Sequence, residues 1–253
     1  MHAKRKPSKT RQGSLLKPGD VTANGLLATL PAQEIQQILP HLEDVSLGSR
    51  QVIYEPGEAI PYVYFSTGAS FVKLIPMKEG PSPEAGLVGR DGMVCHSAIL
   101  GLDASPFHVI VQNPGRALRF PLAAFRDALG RCPVLHGLLN RYVEAFLIQV
   151  AYSAACNSIH SLEQRCARWL LMSHDQTEPD PFHLTQEFLA QLLGANRVSV
   201  TEVAGRLQSA GLIRYQRGKV IVTDRSGLEA SVCECYRHIR AAFRSLLPAD
   251  RVK

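Results

Sequence analysis

A compact basic segment lies between residues 197 and 219 of the sequence. Five cations there face a single acid, Glu202. The cations are Arg197, Arg206, Arg214, Arg217 and Lys219. A guanidinium group can bind a phosphate or pair with two acceptor atoms of one guanine, and an ammonium group can neutralise a phosphate. This stretch is therefore suited to a nucleic acid, with an ordinary solvated charged face as the alternative.

Two short helices are predicted at and before these cations. Thr185 can cap a helix that runs to residue 193, and Asn196 can cap a second helix over residues 197–209. Gly194 lies between the two helices, at a corner where a residue with positive φ is needed. The pattern predicts a helix-turn-helix, and a helical hairpin that does not bind DNA is the alternative.

A β-hairpin is predicted directly after the second helix. Residues 212–215 and 220–223 are strand-like and flank a turn that contains Gly218. This is the arrangement of a winged helix, in which the second helix reads bases of double-stranded DNA and other groups bind phosphates. The predicted base-reading residues are Arg197, Val198, Ser199, Thr201 and Glu202. The predicted phosphate-binding residues are Thr185, Gln186, Arg206, Arg214, Arg217 and Lys219.

The first half of the sequence has a pattern typical of β-strands rather than of helices. Short β-branched and aromatic runs are separated by glycines, and they lie at 51–54, 62–65, 70–75, 86–88, 108–112 and 117–120. Such spacing predicts an antiparallel β-roll, which we assign to residues 24–132. Residues 1–23 are strongly basic and are expected to form a disordered tail.

A long apolar helix is predicted over residues 133–160. Apolar side chains recur every three or four positions, at Leu135, Leu139, Tyr142, Phe146 and Val150. So apolar a helix between two domains predicts a homodimer with these residues at the seam, and burial within one chain is the alternative. The winged helix-turn-helix then occupies 161–227, and a C-terminal helix occupies 228–253. The expected fold class is α+β.

Other functions find little support in the composition. No apolar run reaches the roughly 20 residues that span a bilayer, and no secretory signal pattern is present. We therefore expect a cytoplasmic protein without a membrane partner. The sequence also contains no phosphate loop, nucleophile elbow or zinc-protease motif, so we expect no catalytic residues and no enzyme activity.

Six cysteines are present, but none forms a C-x-x-C pair. Cys233 and Cys235 are the closest pair, and two ligands alone make a poor metal site. We therefore expect no metal and no cofactor. A redox-responsive regulator that acts through Cys233 and Cys235 is an alternative function.

The order of these elements resembles the cyclic-AMP-receptor/fumarate-nitrate-regulator (Crp/Fnr) superfamily of bacterial transcription factors. The likeness spans roughly residues 25–225, and the segments that carry it are 52–58, 62–68, 89–94 and 184–202. The resemblance implies a homodimer that binds a palindromic operator and contacts RNA polymerase. A nucleotide-binding-like regulatory subunit without DNA function is the other alternative.

The sequence departs from the family at the place where cyclic nucleotides bind. Family members that bind them present Gly-Glu and Arg-Ser/Thr, whereas this sequence has Cys95-His96 and Phe107-His108. A cyclic phosphate without its arginine would be buried beside an aromatic ring, so we do not expect cyclic AMP to bind. The four residues are instead a candidate pocket for an unknown small effector, or a set of structural residues.

Overall fold

A computed structural model of the protein describes residues 9–10, 16–80, 82–176 and 182–246. The strands are β1 Lys9–Thr10, β2 Glu43–Leu47, β3 Val52–Tyr54, β4 Tyr62–Ser66, β5 Ser70–Leu74, β6 Glu84–Val88, β7 Met93–Val94, β8 His108–Asn113, β9 Gly115–Pro121, β10 Phe182–His183, β11 Ile213–Gln216 and β12 Lys219–Val222. The α-helices are α1 Pro18–Val21, α2 Ala32–Ile38, α3 Leu122–Arg131, α4 Pro133–Ile159, α5 Leu162–Gln176, α6 Gln186–Leu193, α7 Arg197–Ser209, α8 Arg225–Ser231 and α9 Glu234–Arg244.

The first nine strands form the predicted β-roll. One antiparallel sheet has the order β1-β2-β9-β4-β7, and the other has the order β3-β8-β5-β6. The six runs predicted from the sequence are strands, and the fold is α+β as expected. β2 escaped prediction because its Glu-Asp-Val-Ser-Leu sequence mixes charges with a weak alternation. Gly115 allows two backbone segments to approach closely, since a Cβ there would lie 2.5 Å from the backbone of Gly68 and Ala69.

The long helix α4 has the predicted length, and its start is fixed by a residue about 100 positions away. The buried carboxylate of Glu34 on α2 accepts hydrogen bonds from the backbone N–H groups of Val134 and Leu135, at 2.9 and 2.8 Å. Pro133 occupies the first turn, where no backbone donor is needed. The helix therefore begins against the roll with its end groups satisfied.

The side chains predicted at the seam of a dimer lie inside the chain. Leu135, Leu139, Tyr142 and Phe146 are buried in the core of their own β-roll, and Val150 packs on that core while half-buried. The Tyr142 hydroxyl donates to the backbone oxygen of Met93. The prediction of these residues as a dimer seam is therefore wrong, because the roll already covers their face of α4.

The predicted tail and C-terminal helix also need correction. α1 lies within the segment expected to be disordered, and Val21 is fully buried in the roll, while residues 1–8 and 11–15 of that segment lie outside the described residues. The single helix expected over 228–253 is instead α8 and α9. The chain turns extended at Val232 and restarts a helix after Cys233, and residues 247–253 lie outside the described range.

The last helix, α9, packs on α4 and on α5, the first helix of the winged domain. The rings of Tyr152 on α4 and His238 on α9 stack with centroids 4.8 Å apart. A single amphipathic pattern did not reveal this partner, because periodicity defines an apolar face without saying what covers it.

The winged domain packs directly on the roll. Side chains of the second sheet, Val72, Leu87 and Ile110, share one core with Trp169 and Leu170 of α5. The Trp169 indole N–H also donates to the half-buried Glu84 on β6. Among the described residues, no helix is long and apolar enough to cross a membrane.

Candidate nucleic-acid interface

The helix-turn-helix is formed by α6 and α7, with the predicted caps. The Thr185 side chain accepts from the N–H of Phe188 at 3.1 Å, and that of Asn196 accepts from the N–H of Val198 at 2.8 Å. Gly194 ends α6 with φ +57°, a conformation that costs glycine little. The corner between the helices is therefore encoded locally.

One face of α7 is held in the core and the other faces solvent. Val200, Val203, Ala204 and Leu207 are buried, whereas the five predicted base-reading residues are exposed. Val198 is an apolar side chain on this face and is 65% exposed. The exposed face is thus available to a partner.

Two predicted contacts lie away from the centre of this face. Arg206 is nine residues, or two and a half turns, beyond Arg197 and so lies on the opposite flank of α7. Its Nε donates to Glu163 of α5 at 2.8 Å. Ser199 shares that flank, because seven residues, about two turns, separate it from Arg206. Arg206 is thus oriented towards α5, which weakens its assignment to a phosphate.

The wing is the antiparallel hairpin β11–β12. Arg217 and Gly218 form its two-residue turn, both with positive φ, 50° and 73°. Paired positive φ values are the geometry of a type I′ turn, which fits the twist of the strands. The side chains of Arg214, Arg217 and Lys219 are exposed. The strands are shifted by one residue from those predicted, and the hairpin itself is as expected.

A groove of about 620 Å³ lies between the start of α6, the exposed face of α7 and the wing. Residues that line it include Thr185, Gln186, Arg197, Thr201, Gln208 and Arg217. The Thr201 hydroxyl lies 2.9 Å from both Gln186 Oε1 and the Arg197 backbone oxygen. The structure thus brings together residues of both predicted sets, in a setting with polar groups and cations suited to a phosphate backbone.

Comparison with known families agrees with this geometry. A family model described as the Crp-like helix-turn-helix domain matches residues 164–231. No curated protein matches the chain significantly in sequence.

Three solved structures that are similar to most of the chain include two whose descriptions assign them to the Crp or Crp/Fnr family. A protein from Eubacterium rectale assigned to the crp/fnr family is 17% identical, with TM-score 0.61, 85% of this chain covered and 99% of the other. FixK2 from Bradyrhizobium japonicum is 14% identical, with TM-score 0.63 and coverages of 76% and 98%. A Crp-family transcriptional regulator from Thermus thermophilus is 20% identical, with TM-score 0.61 and coverages of 74% and 95%.

Residues 164–231 form a Crp-like helix-turn-helix domain, and the chain has the fold of Crp/Fnr regulators. The matched domain and the overall fold agree with the resemblance seen in the sequence.

Three of the four predicted effector-pocket residues lie together in the roll. Cys95 is buried with φ +75°, a left-handed conformation in the place where cyclic-nucleotide binders have glycine. The ring centroids of His96 and Phe107 are 6.1 Å apart. His108 takes no part in this contact, and its Nδ1 lies 2.6 Å from Glu55 Oε2 in a half-buried pair.

Sequence reasoning missed the central group of this cluster, Lys73 on β5. Its Nζ is hydrogen-bonded to Nδ1 of His96 and lies 3.8 Å from the ring centroid of Phe146 on α4. Burial lowers the pKa of Lys73 to about 7, with the nearby Cys95 acting weakly in the opposite direction. Burial and the Lys73 charge lower the pKa of His96 to about 3. The sequence signal that could have revealed this residue is the presence of a lysine within the apolar run 70–75.

The cysteine pair expected to be isolated is not isolated. Cys156 and His160, from the end of α4, join Cys233 and Cys235, and the four ligand atoms all lie within 4.8 Å of one another. The expectation of no metal site assumed two candidate ligands, whereas four candidate ligands lie together in the structure. Burial raises the pKa of both thiols in the pair, which lowers their thiolate fraction and disfavours a peroxide-reactive role.

Proposed function

We propose that the protein is a Crp/Fnr-type transcriptional regulator that binds a palindromic operator sequence-specifically, as a homodimer, with α7 of each chain in the major groove. The observation that carries the proposal is the exposed face of α7, with Arg197, Val198, Thr201 and Glu202 beside the cationic wing. An α-helix fits the major groove, where each base pair presents a distinct pattern of donors and acceptors. No described feature of this face requires an enzymatic role.

The side chains on this face suit particular bases. Arg197 can donate to both N7 and O6 of guanine, and Glu202 can accept from N4 of cytosine. Val198 is apolar and exposed, as a contact with a thymine methyl group requires. Family members commonly have Arg-Glu-x-x-x-Arg here, and the different spacing of charges in 197–202 predicts a different half-site.

Phosphates would be bound around this reading face. Thr185 and Gln186 lie at the start of α6, where backbone N–H groups and the helix dipole favour an anion. Arg214, Arg217 and Lys219 extend the positive charge along the wing. These contacts supply affinity and register, and they make binding salt-dependent.

The homodimer would use the side of α4 that faces away from the roll. Exposed residues recur there at alternating intervals of four and three, the spacing of a coiled-coil seam. They are Asn140, Glu144, Leu147, Ala151, Ala154 and Ser158. Leu147 is 58% exposed at the middle of this stripe, and the alanines beyond it permit close helix approach. This α4 stripe replaces the seam that the apolar pattern suggested.

Two copies joined along α4 would place two α7 helices in successive major grooves, one turn of DNA apart. Contact with RNA polymerase belongs to the same proposal and rests on the family. The roll would respond to a small effector of unknown identity, and Lys73 would favour one with an acceptor or anionic group. Cyclic AMP is not the expected ligand, and calorimetric titration that shows micromolar binding of it would contradict this part.

Selection of duplexes from a random library by the purified protein, at stated salt, tests the central claim. We expect an inverted repeat to be recovered. Arg197→Ala should then lose about 1–3 kcal/mol of binding free energy at one base pair of each half-site. Arg217→Asn is the matched control, because asparagine tolerates positive φ; it should weaken all sequences alike and reduce the salt slope by about 0.9 for each phosphate that is no longer neutralised.

Either of two results would overturn the proposal. One is equal affinity for selected and random duplexes. The other is a uniform loss with Arg197→Ala, which would make Arg197 a phosphate contact rather than a base-reading residue.

A further inference from the structure

We propose that Cys156, His160, Cys233 and Cys235 bind one zinc ion, which fastens the C-terminal helices to the end of α4. Cys156 and His160 are four residues apart on one side of α4, at its last turn and C-terminal cap. Cys233 is the N-cap of α9, and Cys235 lies in its first turn. Packing of α9 on α4 brings the two pairs together from positions 77 residues apart.

The distances match a tetrahedral zinc site. With Zn–S bonds near 2.3 Å, two sulfur ligands of a tetrahedron are about 3.8 Å apart, and a sulfur and a nitrogen ligand are slightly closer. The Sγ atoms of Cys156 and Cys233 are 3.6 Å apart, and Sγ of Cys235 is 3.6 Å from Nδ1 of His160. The remaining pairs are within 4.8 Å, so only small side-chain shifts are needed to centre an ion.

The donor set selects zinc among the common metals. Three thiolates and one imidazole form a Cys₃His set, which is typical of structural zinc sites. The three cysteines are buried, and with four protein ligands no coordination position is left for a substrate. The proposed role is therefore structural rather than catalytic.

The surroundings supply what such a site requires. Nε2 of His160 is 3.4 Å from Oε2 of Glu234, so a carboxylate can hold the imidazole with Nδ1 towards the metal. Three thiolates and Zn²⁺ carry one net negative charge, and Arg165 interacts electrostatically with Cys156. Ligand orientation and charge are thus both supported from outside the cluster.

An ion at this position would join the C-terminal helices to the connection between α4 and α5. α4 ends at Ile159, and α5 leads from Leu162 into the winged domain. A zinc ion at His160 would fix the C-terminal segment to this junction, and its removal should loosen α8 and α9. Zinc binding that requires the native arrangement also stabilises the fold.

Metal analysis of the full-length protein, purified with reductant from zinc-supplemented cells and then desalted, tests this assignment. We expect one zinc per chain, and a loss of zinc affinity of at least about tenfold in Cys156→Ser, Cys233→Ser and Cys235→Ser. Cys132→Ser is the matched control, because Cys132 is also buried but lies outside the cluster, with its Sγ donating to Gln37. That variant should keep its zinc.

Cobalt exchange into the wild-type protein gives an answer that does not depend on whether the variants fold. Tetrahedral coordination should produce intense visible bands together with thiolate-to-cobalt charge transfer. Three results would overturn the proposal: no zinc and no such spectrum in the reduced protein, zinc retained equally by the cluster variants, or a Cys156–Cys233 disulfide in freshly purified metal-free protein.

Discussion

Lys73 should make the stability of the roll depend on pH in a defined window. Its ammonium group is fully buried, and burial lowers its pKa from 10.5 to about 7. Above about pH 7 the folded protein releases this proton while the unfolded chain keeps it until about pH 10.5. Because the unfolded state then binds more protons, the Lys73 contribution to the unfolding free energy rises with pH across this window. Below about pH 7 both states are protonated, and the contribution is constant.

The magnitude follows from the size of the shift. A difference of about 3.5 pKa units corresponds to about 5 kcal/mol of destabilisation of the charged form, as an order-of-magnitude figure. Lys73→Met keeps the packed aliphatic stem and removes the charge. The variant should therefore be more stable than the wild type at about pH 6. Its advantage should shrink by about 1.4 kcal/mol per pH unit above pH 7, or about 2 kcal/mol by pH 8.5.

Urea unfolding followed by the fluorescence of the single, buried Trp169 measures this difference. Taking variant minus wild type cancels the titration of buried groups that do not interact with Lys73, such as the Cys166 thiol, whose pKa burial raises to about 12. Lys219→Met on the exposed wing is the control and should give a difference that does not vary with pH. A flat difference for Lys73→Met would refute the assignment of a depressed pKa to this lysine.

Three further substitutions test the packing around α4. Leu147→Glu should shift the protein towards monomer in sedimentation experiments, whereas Leu100→Glu, an equally exposed leucine of the roll, should not; an unchanged dimer in both would reject the α4 stripe. Gly86→Ala should cost about 1–3 kcal/mol in urea unfolding, because its Cβ would lie 2.4 Å from an aromatic ring of α4. Gly130→Ala, with open space around it on α3, should be neutral or stabilising by up to about 1 kcal/mol. Glu34→Gln should cost about 1–3 kcal/mol, since an amide cannot accept both backbone hydrogen bonds at the start of α4, and no loss would contradict that capping role.

Local sequence was sufficient for the helix-turn-helix and the wing. Thr185, Gly194 and Asn196 act through contacts within four residues, so their types and spacing specify the corner directly. The solvent face of α7 followed from periodicity, because the buried positions 200, 203, 204 and 207 leave the others outside. The candidate reading face could be predicted because nothing distant is needed to build it.

Tertiary structure decided which helices and sheets pack against each other. α4 is apolar around much of its circumference, and periodicity alone could not tell which apolar side the roll covers. The same limit applies to the ligands Cys156 and His160, which meet Cys233 and Cys235 only when α9 packs on α4. In the sequence Lys73 is one polar residue within a predicted strand. Only the tertiary structure places His96 and Phe146 around its amine. Sequence determines elements and their faces through local forces, whereas long-range packing determines which faces meet and therefore which side chains can act together.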